Sequence, residues 1–66
     1  MRISIKHLSY GHIQDRVDWL DKNVGPRLYY IHTQVGGRGW RYYSRERTIE
    51  IEDEQWATMF ILRFGA

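Results

Sequence analysis

Arg27-Leu-Tyr-Tyr-Ile-His-Thr-Gln-Val-Gly-Gly-Arg-Gly-Trp-Arg-Tyr-Tyr-Ser-Arg-Glu-Arg47 holds five of the ten basic and five of the ten aromatic residues of this 66-residue chain. Two extended, aromatic-rich runs flank Gly36-Gly37-Arg38-Gly39, so the stretch reads as a β-hairpin with a positively charged tip. With the turn centred on Gly36-Gly37, Val35 pairs with Arg38, Ile31 with Tyr42 and Tyr30 with Tyr43. One face then carries Tyr29, Ile31, Thr33, Val35, Trp40 and Tyr42, the more apolar set, which this register assigns to the core. The other carries Leu28, Tyr30, His32, Gln34, Arg41 and Tyr43.

Downstream, Ser44 to Arg47 is polar and reads as a second turn, and Thr48 to Glu52 alternates with Ile49 and Ile51 inward. A meander that keeps Tyr42 opposite Ile49 places Arg41 across from Glu50, a cross-strand ion pair. Asp53 is positioned as the N-cap of a last helix, with Glu54 favouring the positive end of its dipole. Gln55 to Phe64 is apolar nearly all round and Gly65 ends it. A helix of that kind is not satisfied by one sheet face. It lies between the sheet and the other helix, or it buries Trp56, Phe60, Ile61 and Phe64 in a second subunit, which makes those four the candidate dimer interface.

Upstream, Gly25-Pro26 stops a helix over Tyr10–Asn23, in which Ile13, Val17, Leu20 and Val24 form one stripe and Ser9 is the expected N-cap. Trp19 lies off that stripe and is expected to pack over the helix edge. Met1 to Lys6 alternates and reads as a short strand. The chain is therefore expected to be a single α+β domain over residues 1–66, ordered β-α-β-β-β-α, with an antiparallel meander and both helices on one face.

The absence of cysteine excludes disulfides and thiolate metal sites. A domain this short buries a smaller share of its surface than a large one, and bulky rings or self-association are the usual remedies. No segment approaches the ~20 apolar residues of a membrane span, and Met1 is not followed by a leader-like pattern, so the expectation is a cytoplasmic protein without a membrane partner. Net charge is +2, but residues 25–48 sum to +4 and residues 49–66 to −3.

His7, His12 and His32 are scattered and form no metal-ligand spacing, and no serine sits in a nucleophile elbow. The acidic run from Glu50 to Glu54 is explained by strand alternation and helix capping. Gly36-Gly37-Arg38-Gly39 is followed by a strand, where a phosphate-binding loop would lead into a helix. These observations point to a non-enzyme without cofactor or metal. The remaining lead is the combination of rings and arginines: Tyr30, His32 and Tyr43 on the outer face, Arg38 at the tip, and Arg45 and Arg47 at the next turn. Such a set suits a protein partner, because Tyr and Arg are enriched at interfaces. The alternative is single-stranded nucleic acid, whose bases stack on rings while cations meet phosphates.

Ile51-Glu-Asp-Glu-Gln-Trp-Ala-Thr-Met-Phe-Ile-Leu-Arg-Phe64 resembles the tail of small tailed-phage proteins, marine ones among them, which end in an acidic stretch followed by Ala-x-x-Phe-x-Leu-Arg-Phe or -Trp. Gly39 to Tyr43 is similar to the Trp-containing strand that precedes that tail, and Asp18 to Gly25 to their Trp-containing helix running into a Gly. The resemblance covers about half of the chain. It implies a viral origin and expression in the cytoplasm of a bacterial host, and it implies no particular activity. Taken with the residues, it leads to a small accessory protein that acts by binding a host or phage protein, with single-stranded nucleic acid as the alternative and homo-oligomerisation compatible with both.

Overall fold

The computed structural model describes residues 1–65 as one α+β unit in the order β-α-β-β-β-β-α. The elements are β1 (Arg2–Ser4), α1 (Tyr10–Asn23), β2 (Arg27–Ile31), β3 (Gln34–Gly37), β4 (Trp40–Tyr43), β5 (Thr48–Ile51) and α2 (Glu54–Phe64). The five strands form one antiparallel sheet ordered β1-β5-β4-β3-β2, so α1 carries the chain from one edge of the sheet to the other.

The core lies between one sheet face and the two helices. From the sheet come Ile3, Trp40, Ile49 and Ile51; from the helices Ile13, Val17, Leu20, Ala57 and Phe60; Ile5 closes one end. Strand alternation accounts for the first group and helical spacing for the second. Trp19 meets Trp56, Phe60 and Phe64 edge-on, with centroids about 6 Å apart. α1 thereby covers the side of α2 that the sheet does not reach. Besides the sheet, the apolar last helix thus has α1 as a second neighbour.

α1 begins and ends at the expected residues, although the Ser9 side chain makes no capping bond. Asp53 does cap α2, its carboxylate accepting from the Gln55 N–H at 2.8 Å, and Gly65 ends that helix at φ +71°. The pairings Tyr42↔Ile49 and Arg41↔Glu50 are as expected. Among the described residues no helix is long and apolar enough to cross a membrane.

The reading of the long hairpin is corrected. Its 21 residues hold three strands, not two, because the chain already reverses at His32-Thr33. Neither residue there has positive φ, so that turn needs no glycine and leaves no mark in the sequence. The next reversal is at Arg38-Gly39, where Gly39 takes φ +86°, while Gly36 and Gly37 lie inside β3. Val35 consequently pairs with both Tyr30 and Tyr42, and Gly36 with both Tyr29 and Arg41. Residues directly opposite share a face. Tyr30 therefore stands on the helix side of the sheet with Val35 and Tyr42, while Tyr29 and Ile31 move to the outer face, the reverse of the expected assignment.

The glycines of β3 make room for rings. A Cβ on Gly37 would lie 2.1 Å from the Trp40 ring on the core side, and one on Gly36 would lie 2.1 Å from the Tyr29 ring on the outer side. The Trp40 indole N–H donates to the Gly25 carbonyl at 2.8 Å. Gly25 in turn lies against the Arg38 carbonyl, which a Cβ at that position would meet at 2.3 Å. The end of α1 and the β3–β4 turn are locked together there.

Candidate functional site

α1 covers β5 and β4 but not the far side of the sheet, and a groove of about 250 Å³ remains between α1 and the β2–β4 strands. Val35 and Tyr42 line it from the sheet, Ile13 and Val17 from the helix, and Tyr10 and Tyr30 stand at its sides. Both of these are open to solvent, at 81% for Tyr10 and 75% for Tyr30. Polar groups border it: Gln14 on α1, Ser44 just after β4, His32 at the β2–β3 turn and Arg27 at the start of β2. Arg27 is also held in place by its own chain, its guanidinium 3.4 Å from Asp18 and its backbone N–H donating to Asp21 at 2.6 Å. Burial raises the Tyr42 hydroxyl above its ordinary value, an effect that Arg47 opposes, so this hydroxyl stays protonated and able to donate at neutral pH.

The opposite face of the sheet carries a polar network centred on Glu50. The Tyr43 hydroxyl donates to it at 3.0 Å, Arg41 approaches at 3.4 Å and Arg2 at 3.6 Å. Arg2 also lies over the Tyr43 ring, 5.2 Å from its centroid. The bond from Tyr43 is the largest influence on the Glu50 carboxyl and holds it below the ordinary range; burial opposes this, and the charges of Arg2 and Arg41 add to it. Next to this network the Gln34 amide donates to the Tyr29 hydroxyl over Gly36.

The six residues singled out in the sequence do not form one surface. Tyr30 and His32 lie at the groove. Tyr43 is on the other face, engaged with Glu50 and Arg2. Arg45 and Arg47 belong to the β4–β5 turn, at the same end of the sheet as His32, and Arg47 adopts φ +48° there. Arg38 sits in the β3–β4 turn at the other end, with its N–H bonded to Pro26. Of the four residues proposed for a dimer, Phe60 is 1% exposed and belongs to the chain's own core, and Trp56, Ile61 and Phe64 pack partly against that core. What α2 leaves in the open is Met59 and Leu62.

Tyr10 and Tyr42 were not expected at a site. Tyr10 is the first residue of α1, and its position over the sheet depends on where the helix crosses. Tyr42 was correctly placed on the core face, but that face extends beyond the helices that cover it. The signal available in the sequence was the excess of aromatic side chains over the places a small core offers them. Among the described residues no three His, Cys, Asp or Glu side chains stand close enough to hold a metal ion.

Comparison of the chain with protein-family models, with curated proteins and with solved structures finds no match.

Proposed function

We propose that this chain is a small non-catalytic binding module whose groove between α1 and the sheet accepts an extended segment of a partner protein. The observation that carries the reading is the convergence of Tyr10, Tyr30 and Tyr42 on one open groove with an apolar floor. Tyrosine combines a large flat apolar surface with a hydroxyl, a pairing suited to sites that are alternately wet and covered. Gln14 and His32 at the margins supply directional hydrogen bonds that an extended backbone matches. On the resemblance to tailed-phage proteins, the partner is a host or phage protein met in the bacterial cytoplasm.

Single-stranded nucleic acid has less support. Tyr43 is committed to Glu50, a carboxylate stands in the middle of the outer face, and Arg38 lies at the opposite end of the sheet from Arg45 and Arg47. A phosphate backbone would have to pass that carboxylate to touch all three arginines.

The test is affinity capture from host lysate with and without nuclease. The expected result is a protein captured in both conditions, retained by Arg38→Ala and lost by Tyr10→Ala, a change at an exposed side chain that leaves the core intact. Capture abolished by nuclease, or weakened steeply by salt and by Arg38→Ala, overturns the groove reading in favour of nucleic acid.

A further inference from the structure

The β2 edge presents a row of apolar side chains, and among the described residues no strand pairs with its outer side. Leu28 is 65% exposed and Ile31 52%, with Tyr29 and Tyr30 between them also exposed. Its backbone is open as well. Two-residue turns close β3 on both sides, so Ile31 and Gln34 form one hydrogen-bonded pair and Gly37 and Trp40 another. Alternation from either turn gives the same ladder, and the Ser44 N–H to Thr33 carbonyl bond at 3.0 Å continues it. Tyr30 then falls at a non-bonded position against Val35, with its N–H and C=O directed away from the sheet.

We propose that a second copy of this chain occupies this edge, with β2 pairing antiparallel to the β2 of its twin about a two-fold axis at Tyr30. The inference shares Tyr30 with the groove reading but does not rest on it, since it is argued from the open backbone of the edge and not from the floor of the groove. Three observations select a twin over an unrelated strand. The pairing between β2 and β3 is irregular from Arg27 to Tyr29, so the regular part of β2 is Tyr29–Ile31, and Tyr30 is its midpoint. An axis there joins Tyr30 to Tyr30 on the helix side and Tyr29 to Ile31 on the outer side, cross-strand pairs of the stabilising kind. Arg27, the one charged residue of β2, falls opposite Thr33 of the twin and is already paired with Asp18 of its own chain, so like charges do not meet.

The opposite edge makes the assembly closed. β1 has three residues, its Arg2 is engaged with Glu46 and Glu50, and its Ile3 is buried in the core. Short, charged edges of this kind resist further pairing. Two copies therefore give a ten-stranded sheet bounded by β1 at both ends, an isologous dimer that does not grow into a fibre. Pairing at Tyr30 also sets the two grooves side by side on one face.

The chain contains no cysteine, so Tyr30→Cys introduces a single thiol. Residues facing each other in a hydrogen-bonded antiparallel pair have Cα atoms ~5.5 Å apart, within disulfide range. Mild oxidation of Tyr30→Cys should give a covalent dimer, while Leu62→Cys, on the exposed face of α2, should stay monomeric under the same conditions. Sedimentation equilibrium of the unmodified chain should give twice the 8.0 kDa chain mass. Tyr30→Lys, which sets two ammonium groups face to face across the axis, should return the monomer mass with unchanged circular dichroism. A monomer at all accessible concentrations overturns the proposal, as does cross-linking of Leu62→Cys in preference to Tyr30→Cys, or a mass that climbs past the dimer. Loss of groove binding in Tyr10→Ala with the dimer intact would leave this inference standing; a monomer that still captures a partner would overturn it alone.

Discussion

The two edges of this sheet each begin with an arginine followed by an aliphatic residue, and they end in opposite states. β1 buries Ile3 in the core and sets Arg2 among Glu46, Glu50 and the Tyr43 ring, so that a three-residue strand is tied to both faces. β2 is longer and more apolar, yet all five of its residues are exposed. The difference does not come from hydrophobicity. Two helices of 14 and 11 residues cover the β1 side, and their apolar stripes are filled by β1, β5 and β4 before β2 is reached. In a chain of this size the helices set how much of the sheet is core, and the strand beyond their reach is left exposed.

The comparison is sharpest in a pair of isoleucine truncations. Ile3→Ala removes a side chain that is 6% exposed in the core and should cost about 2–4 kcal/mol. Ile31→Ala removes the same atoms from the exposed edge and should change monomer stability by less than ~0.5 kcal/mol. Urea unfolding of both variants at low concentration measures the gap. Equal costs would mean that β2 is part of the core after all.

The adjacent glycines of β3 carry the contrast from edges to faces. Gly37→Ala drives a methyl into the Trp40 ring, which is buried, bonded to Gly25 and unable to move. It should cost about 1–3 kcal/mol as an overpacked core. Gly36→Ala meets the far end of Tyr29, an exposed side chain that can swing into solvent. The lost unfolded-state entropy offsets about 0.4–1 kcal/mol of that disturbance, so this variant should unfold close to the parent. A larger loss for Gly36→Ala than for Gly37→Ala would reverse the assignment of the two faces.

These glycines also mark where the sequence stops being readable. Tyr10–Asn23, Thr48–Ile51 and the helix capped by Asp53 were legible because each rests on short-range periodicity or on a cap beside it. The Arg41–Glu50 and Tyr42–Ile49 pairs followed from one another across a short turn. The reversal at His32-Thr33 had no such marker, since its backbone stays at negative φ, whereas Gly36-Gly37 looked like a turn and is a strand. Those glycines answer to Trp40 and Tyr29, whose rings cross β3, and that requirement is tertiary. One missed turn exchanged Tyr30 with Tyr29 and Ile31 between faces; of the six residues singled out in the sequence, Tyr30 and His32 lie at the groove, while Tyr43, Arg38, Arg45 and Arg47 lie elsewhere. The groove itself depends on how far α1 lies from β2, which no local pattern records.

The weakest effect tests what fastens the β1 edge. Glu50 accepts from Tyr43 and lies near Arg2 and Arg41, and its carboxyl is held below the ordinary range by the Tyr43 bond first and those charges after it. A carboxyl depressed in the folded state stabilises the fold above its unfolded value, about 4.3 for a glutamate, and that contribution is lost as pH falls through the lower folded value. The urea midpoint should therefore decline on acidification from neutral through this window. Tyr43→Phe keeps the ring beneath Arg2 and removes the hydroxyl donor, which brings the folded value back toward the unfolded one. The acid-dependent part of the decline should shrink in Tyr43→Phe relative to the parent, whereas Tyr30→Phe, at the other edge and without a carboxylate partner, should follow the parent curve. Identical acid profiles for the parent and Tyr43→Phe would mean that Arg2 and Arg41 alone hold Glu50, and that the β1 edge is fastened by charge and by Ile3 without help from the tyrosine.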